Sequence, residues 1–180
     1  VAMMGVCSVG MAFVLLTGGI DLSIGSSVTL FNILCAYLMV DQNIHPIPAL
    51  LICLVLSTVF GFLQGLLITY IHIPPLIATL AFQNVLKGAA YLICQGLPIN
   101  GFPSWFRVLG QGYIGFLPVP VLIMIIIYII GGIVMYKLYF GRYLYALGGN
   151  EEAPNLSGIR VNLVKTAVYA VNGFLAGIAR

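Results

Sequence analysis

The chain alternates between apolar runs long enough to cross a bilayer and short polar interruptions rich in glycine and proline. Residues 1 to 17 are apolar and end at the break TGGIDLSIGSS. A second run, Ile24 to Val40, stops at DQNIHPIP. A third, Ala49 to Ile71, stops at HIPP, where proline removes a backbone donor and turns its predecessor away from helix. Leu76 to Cys94 is the fourth run, Val119 to Leu138 the fifth, and Val161 to Ala179 the last. About 20 apolar residues cover the roughly 30 Å core of a bilayer, so the pattern predicts six spans. The expected fold class is all-α, a polytopic transmembrane helical bundle, with residues 1–180 forming a single domain. Between the spans lie two longer polar segments, 95–118 and 139–163. Trp105 and Tyr113 in the first of these suit a membrane interface.

Composition agrees with the pattern. The chain is 62% hydrophobic and 6% charged, whereas a soluble domain carries about 25% charged residues. Too few charges are present to clothe a soluble surface. The net charge of +3 is small and its bearers are dispersed, which gives no nucleic-acid footprint. Four of the seven basic residues, Lys137, Arg142, Arg160 and Lys165, flank the 139–163 segment, so the positive-inside rule places that segment in the cytoplasm. Counting back, 95–118 is outside, HIPP inside, DQNIHPIP outside, and the GGIDLS break towards the cytoplasm. Cys7, Cys35, Cys53 and Cys94 sit singly in or beside apolar runs, which reads as membrane packing rather than metal or redox chemistry. No charged leader precedes the first run, and the start at Val1 reads as an internal piece of a longer membrane domain, incomplete at both ends.

Polar residues inside the spans are the candidate functional groups. The break at 17–27 carries Asp21, Ser23, Ser26 and Ser27 among three glycines. Backbone at membrane depth leaves the helix only where protein or water satisfies it. One reading is therefore a discontinuous helix at the edge of a translocation path. The other is a tight cytoplasmic turn in which Asp21 or Ser23 caps the next helix. In the third run Gln64 can hydrogen-bond a neighbouring helix across a close approach permitted by Gly61 and Gly65. In the fourth, Asn84 and Lys87 share a face, with Lys87 placed to snorkel outward. There is no GxxxxGK[ST], HExxH or GxSxG motif. The chain does not read as an enzyme and calls for no cofactor of its own.

The segment GRYLYALGGNEEAPNLSGIR, residues 141–160, places Glu151 beside Glu152 in a chain with four acidic residues in all. The Gly148–Gly149 pair is expected to end an extended approach from Tyr145. Asn150 suits an N-cap, the two glutamates suit the first turn, and Gly158 suits the C′ stop. A short surface helix of about two turns follows from those signals, and an acidic pair facing the cytoplasm offers a docking site for a soluble partner. A plain solvated loop is the alternative.

GGIDLSIGS, GLLITYIHIPPLIATL, GLPINGF and FGRYLYALGGNEEAPNLSGIRVNLVK, in this order, resemble the permease of a ribose/galactose-type monosaccharide ABC importer. The resemblance covers essentially all 180 residues. It implies about ten helices per permease, a bacterial inner-membrane location, a second permease, an extracytoplasmic sugar-binding protein, and a cytoplasmic ABC ATPase carrying ATP and Mg. It also implies that Gly149, Asn150, Glu151, Glu152, Ala153, Leu156 and Gly158 form the coupling segment that rests on the ATPase. Asp21, Ser23, Gln64 and Asn84 are the path or gate candidates. The chain departs from the family at Pro154, where alanine is usual, and mildly at Gln64, Leu76 and Lys87. Proline at the fourth helical position removes a first-turn hydrogen bond, so the coupling helix is expected to bend or to start one turn later. Two rivals stand beside the importer: an ion-coupled secondary carrier with Asp21 as its carboxylate, and an inactive truncated permease fragment.

Overall fold

A computed structural model describes residues 1–101, 110, 112–149 and 160–179. Seven helices dominate the described residues. They are α1 (Ala2–Leu16), α2 (Ile24–Val40), α3 (Pro46–Thr69), α4 (Pro75–Cys94), α5 (Val119–Lys137), α6 (Tyr139–Gly149) and α7 (Val161–Ile178). Four of these, α3, α4, α5 and α7, are long and apolar enough to cross a membrane. The helices α1 and α2 are apolar but shorter, at 15 and 17 residues.

Helix ends follow local chemistry. Leu16 gives way to a left-handed Gly18 (φ 72°), with Gly18 N donating to Leu15 O and Gly19 N to Val14 O. That paired return is the Schellman stop, and glycine adopts its left-handed residue without a Cβ penalty. Prolines 46, 75 and 120 stand in the first turns of α3, α4 and α5, where a missing N–H leaves no bond unmade. As a result α3 begins at Pro46, three residues before the apolar run suggested.

Two segments differ from expectation. Within the polar 95–118 stretch, β1 (Tyr113–Ile114) pairs antiparallel with β2 (Leu117–Pro118), Tyr113 opposite Pro118 and Ile114 opposite Leu117. Gly115, at φ 65°, makes the turn. The expected extended approach from Tyr145 is helix instead, since α6 runs through to Gly149. Only Leu138, with an extended backbone, separates it from α5. A Cβ on Gly141 would strike the backbone of Met135, so glycine here is what lets α6 fold back on the last turn of α5.

The bundle is organised about α7, the most buried of the four long helices. Helix α3 packs against it backbone to backbone: Gly61 faces Gly173 and the Tyr169 carbonyl, Gly65 faces Thr166, and Ser57 faces Gly177. Ascending numbers on α3 meet descending numbers on α7, so the two run antiparallel. The same holds for α1, whose Gly10 lies on Asn172 and whose following Gly19 lies on Tyr169. These directions fit the alternating order of the six runs. Three apolar clusters fill the interior. One joins Phe13, Val14, Leu144, Leu147, Val164 and Val168 at the α6 end. A second joins α2, α4 and the first half of α3 around Phe31, Cys35, Cys53 and Leu86. The third sits between α1, α2, α5 and α7. The outward faces of α3 and α5 remain apolar, with Val55, Val59, Ile126, Ile129 and Ile130 exposed. Such faces are stable against lipid chains and costly against water.

Candidate functional site

After the Schellman stop the chain does not leave the bundle. Residues 17–23 turn inward beside α7, and the Tyr169 hydroxyl donates to Ile20 O at 3.4 Å. One residue on, Asp21 enters a polar cluster enclosed by three elements. Its Oδ1 accepts from Ser23 N at 2.8 Å, from Ser23 Oγ at 2.6 Å and from Gln64 Nε2 at 3.0 Å. Its Oδ2 accepts from Asn172 Nδ2 at 2.6 Å. Gln64 Oε1 faces Ser23 Oγ at 3.0 Å, which closes the ring between the break and α3. The four side chains are 1–6% exposed.

Geometry decides between the two readings of the break. Ser23 occupies the N-cap of α2, yet its side chain makes no capping bond there. Instead Ser26 Oγ and Ser27 N both return to the Ser23 carbonyl. Asp21 spends its oxygens on Ser23, two residues on, and on two other helices. Asn172 stands about 16 Å by helical rise from Val161, the first residue of α7. The break is therefore a discontinuous segment laid against the bundle, with Thr17, Gly19, Asp21 and Ser23 buried and Gly18, Ile20 and Leu22 exposed, not a simple capping turn.

Three of the four path or gate candidates, Asp21, Ser23 and Gln64, meet in this cluster. Asn84 does not: it lies on an exposed face of α4, as does Lys87. Asn172 is the member that sequence reading missed. Its one signal was an amide in the middle of the apolar run of the last span, beside Gly173. Its Oδ1 is buried with no hydrogen-bond partner, packed on Gly10, where any Cβ would collide with it. Of the coupling candidates, Gly149 is the last residue of α6. Asn150, Glu151, Glu152, Ala153, Leu156 and Gly158 lie outside the described residues, as does Pro154.

The cluster is a clasp. A buried carboxylate is costly unless its hydrogen bonds are satisfied, and here four donors satisfy it, all of them neutral. Among the described residues no three His, Cys, Asp or Glu side chains come together as metal ligands. A groove of about 430 Å³ between α1 and α2, lined by Met3, Met4, Cys7, Met11 and Val28, is apolar and separate from the clasp.

A protein family described as branched-chain amino acid transport system / permease component matches residues 1–179. The chain belongs to this permease family. The permease is 39% identical over 181 residues to the ribose import permease protein RbsC of Bacillus subtilis (strain 168), covering 99% of this chain and 56% of that one. It is 36% identical to the ribose import permease protein RbsC of Escherichia coli (strain K12), over 97% of this chain and 55% of that one. It is also 31% identical to the L-arabinose transport system permease protein AraH of the same strain, over 99% and 54%. The chain spans about half the length of the curated relatives it matches. No solved structure matches it. These similarities agree with the resemblance seen in the motifs, and the four long apolar helices agree with an inner-membrane permease.

Proposed function

We propose that this permease works in an ATP-driven importer of monosaccharides, forming part of the translocation path across the inner membrane. The observation that carries the proposal is similarity to ribose and arabinose permeases along nearly the whole chain. An ABC ATPase, carrying ATP and Mg, drives the cycle from the cytoplasm, and an extracytoplasmic binding protein delivers the sugar. A second permease, taken to be another copy, completes the path. Coupling runs through residues 148–159, with Glu151 and Glu152 facing the ATPase.

The described structure supports a mechanical role for the clasp. Alternating access requires packed elements to rock about a central path, each state favoured only by differential affinity for its ligands. Asp21, Ser23 and Gln64 tie the α1–α2 break to α3, and Asn172 ties it to α7. Movement of the coupling segment, which joins α6 to α7, thereby reaches the break. Asn84, on the open face of α4, is left as a path candidate for the assembled transporter.

The test is capture of the full-length permease with the ATPase encoded beside it, in detergent. Wild type is compared with a Glu151→Lys, Glu152→Lys variant of equal membrane abundance. Loss of capture in the variant supports coupling at 148–159. Equal capture moves the contact elsewhere, and no capture by wild type points to the ion-coupled carrier. Uptake that a protonophore abolishes and ATPase loss does not would point the same way.

A further inference from the structure

Helix α6 presents two different faces. Gly141, Leu144 and Leu147 are buried in the cluster around Phe13 and Val14, and the Phe140 ring meets Phe13 edge-on at 6.4 Å between centroids. The other face carries Tyr139, Arg142 and Tyr145, spaced by three residues and all exposed. The Arg142 guanidinium lies 4.3 Å over the Tyr139 ring, a stacked geometry that fixes the cation while leaving its edge donors free.

Along the chain this face is preceded by an exposed one on α5. Ile126, Ile129, Ile130 and Ile133 form an exposed apolar stripe at helical spacing, which ends at Tyr136, 91% exposed, and Lys137. From there the chain bends at Leu138 into Tyr139 and Arg142. The order is aliphatic, then aromatic, then cationic, which is the order of chemistries met on leaving half a bilayer. Arg160, at the foot of α7, is exposed as well. The two acidic residues among those described are elsewhere: Asp21 is in the clasp, and Asp41 ends α2.

We infer that the outer face of α6 is a docking surface for anionic lipid headgroups of the cytoplasmic leaflet, with Arg142 as the phosphate ligand and Tyr136, Tyr139 and Tyr145 as the aromatic collar. Three things select lipid over a soluble protein: the unbroken apolar stripe leading into the patch, tyrosines with polar tips at its edge, and cations without a described carboxylate opposite them. Guanidinium presents a planar fork that matches phosphate oxygens. The inference holds whichever solute the permease carries.

The experiment uses the full-length permease in detergent, titrated with phosphatidylglycerol or phosphatidylcholine, with lipid adducts counted by native mass spectrometry. Wild type should prefer phosphatidylglycerol. Arg142→Gln should lower that preference about fivefold, the effect of one basic charge at an anionic surface. Arg142→Lys, which keeps the charge, should retain most of it and guards against a folding artefact. An unchanged preference in a folded Arg142→Gln protein overturns the inference. So does loss of ATPase capture in that variant with lipid preference intact, which would give the face to the ATPase.

Discussion

Asn172→Ala tests whether the clasp holds the break in place. Among the described residues Asn172 supplies the one donor that reaches Asp21 Oδ2, at 2.6 Å, from a position 1% exposed. Removing it leaves that oxygen without its donor in a side chain only 6% exposed. A hydrogen bond to a carboxylate contributes about 1.5–3 kcal/mol. Interhelical polar contacts within membranes average lower, about 0.6 and up to roughly 1.7 kcal/mol, because the unfolded reference also finds partners. Burial on all sides favours the upper end of the membrane range, so the expected loss is about 1.5 kcal/mol. At about 2–4 °C per kcal/mol for a domain of 150–250 residues, that is a fall of about 3–6 °C in apparent Tm. The assay is thermal unfolding of detergent-solubilised full-length permease, followed by a thiol-reactive dye. The control is a double-mutant cycle with Asp21→Ala, since only directly coupled residues depart from additivity. In the Asp21→Ala background, Asn172→Ala should cost a few tenths of a kcal/mol. An equal cost in both backgrounds would refute the reasoning and reduce Asn172 to ordinary packing.

The helix contact and the orientation give two further outcomes. Gly61→Val places a Cβ onto the Tyr169 carbonyl and within 3.1 Å of the Gly173 Cα. The backbone contact between α3 and α7 cannot absorb it, so a loss of about 1–3 kcal/mol is expected, seen as a smaller monodisperse fraction on gel filtration; an unchanged fraction would mean that the helices are not in backbone contact. For topology, single cysteines at Gln42 and Arg160, both exposed, should react from opposite sides of the membrane. An impermeant maleimide should label the first in intact cells and the second only in inverted vesicles; labelling of both from one side would overturn the orientation.

The apolar runs of the chain determined that this is a helical membrane protein, and they placed the long helices to within a few residues. Length and transfer free energy fix those features locally, whatever the neighbouring helices do. Gly61, Gly65 and Gln64 likewise marked a close helix contact before any partner was known, because a small residue beside an amide has few other uses inside a bilayer. The α6 helix was harder to read. Two adjacent glycines looked like an end to extended chain, but a helix that buries Leu144 and Leu147 outweighs the weak preference of its last residues. Asn172 was silent for a related reason. An amide in mid-run has no meaning until another chain segment brings it a partner, and the partner of Asn172 lies 151 positions away. The sequence therefore decided which segments form apolar helices, of which four are long enough to cross a membrane where six were expected. Only the packing of α1, α3 and α7 decided that Asp21, which sequence left between a cap and a gate, is enclosed as the centre of a clasp.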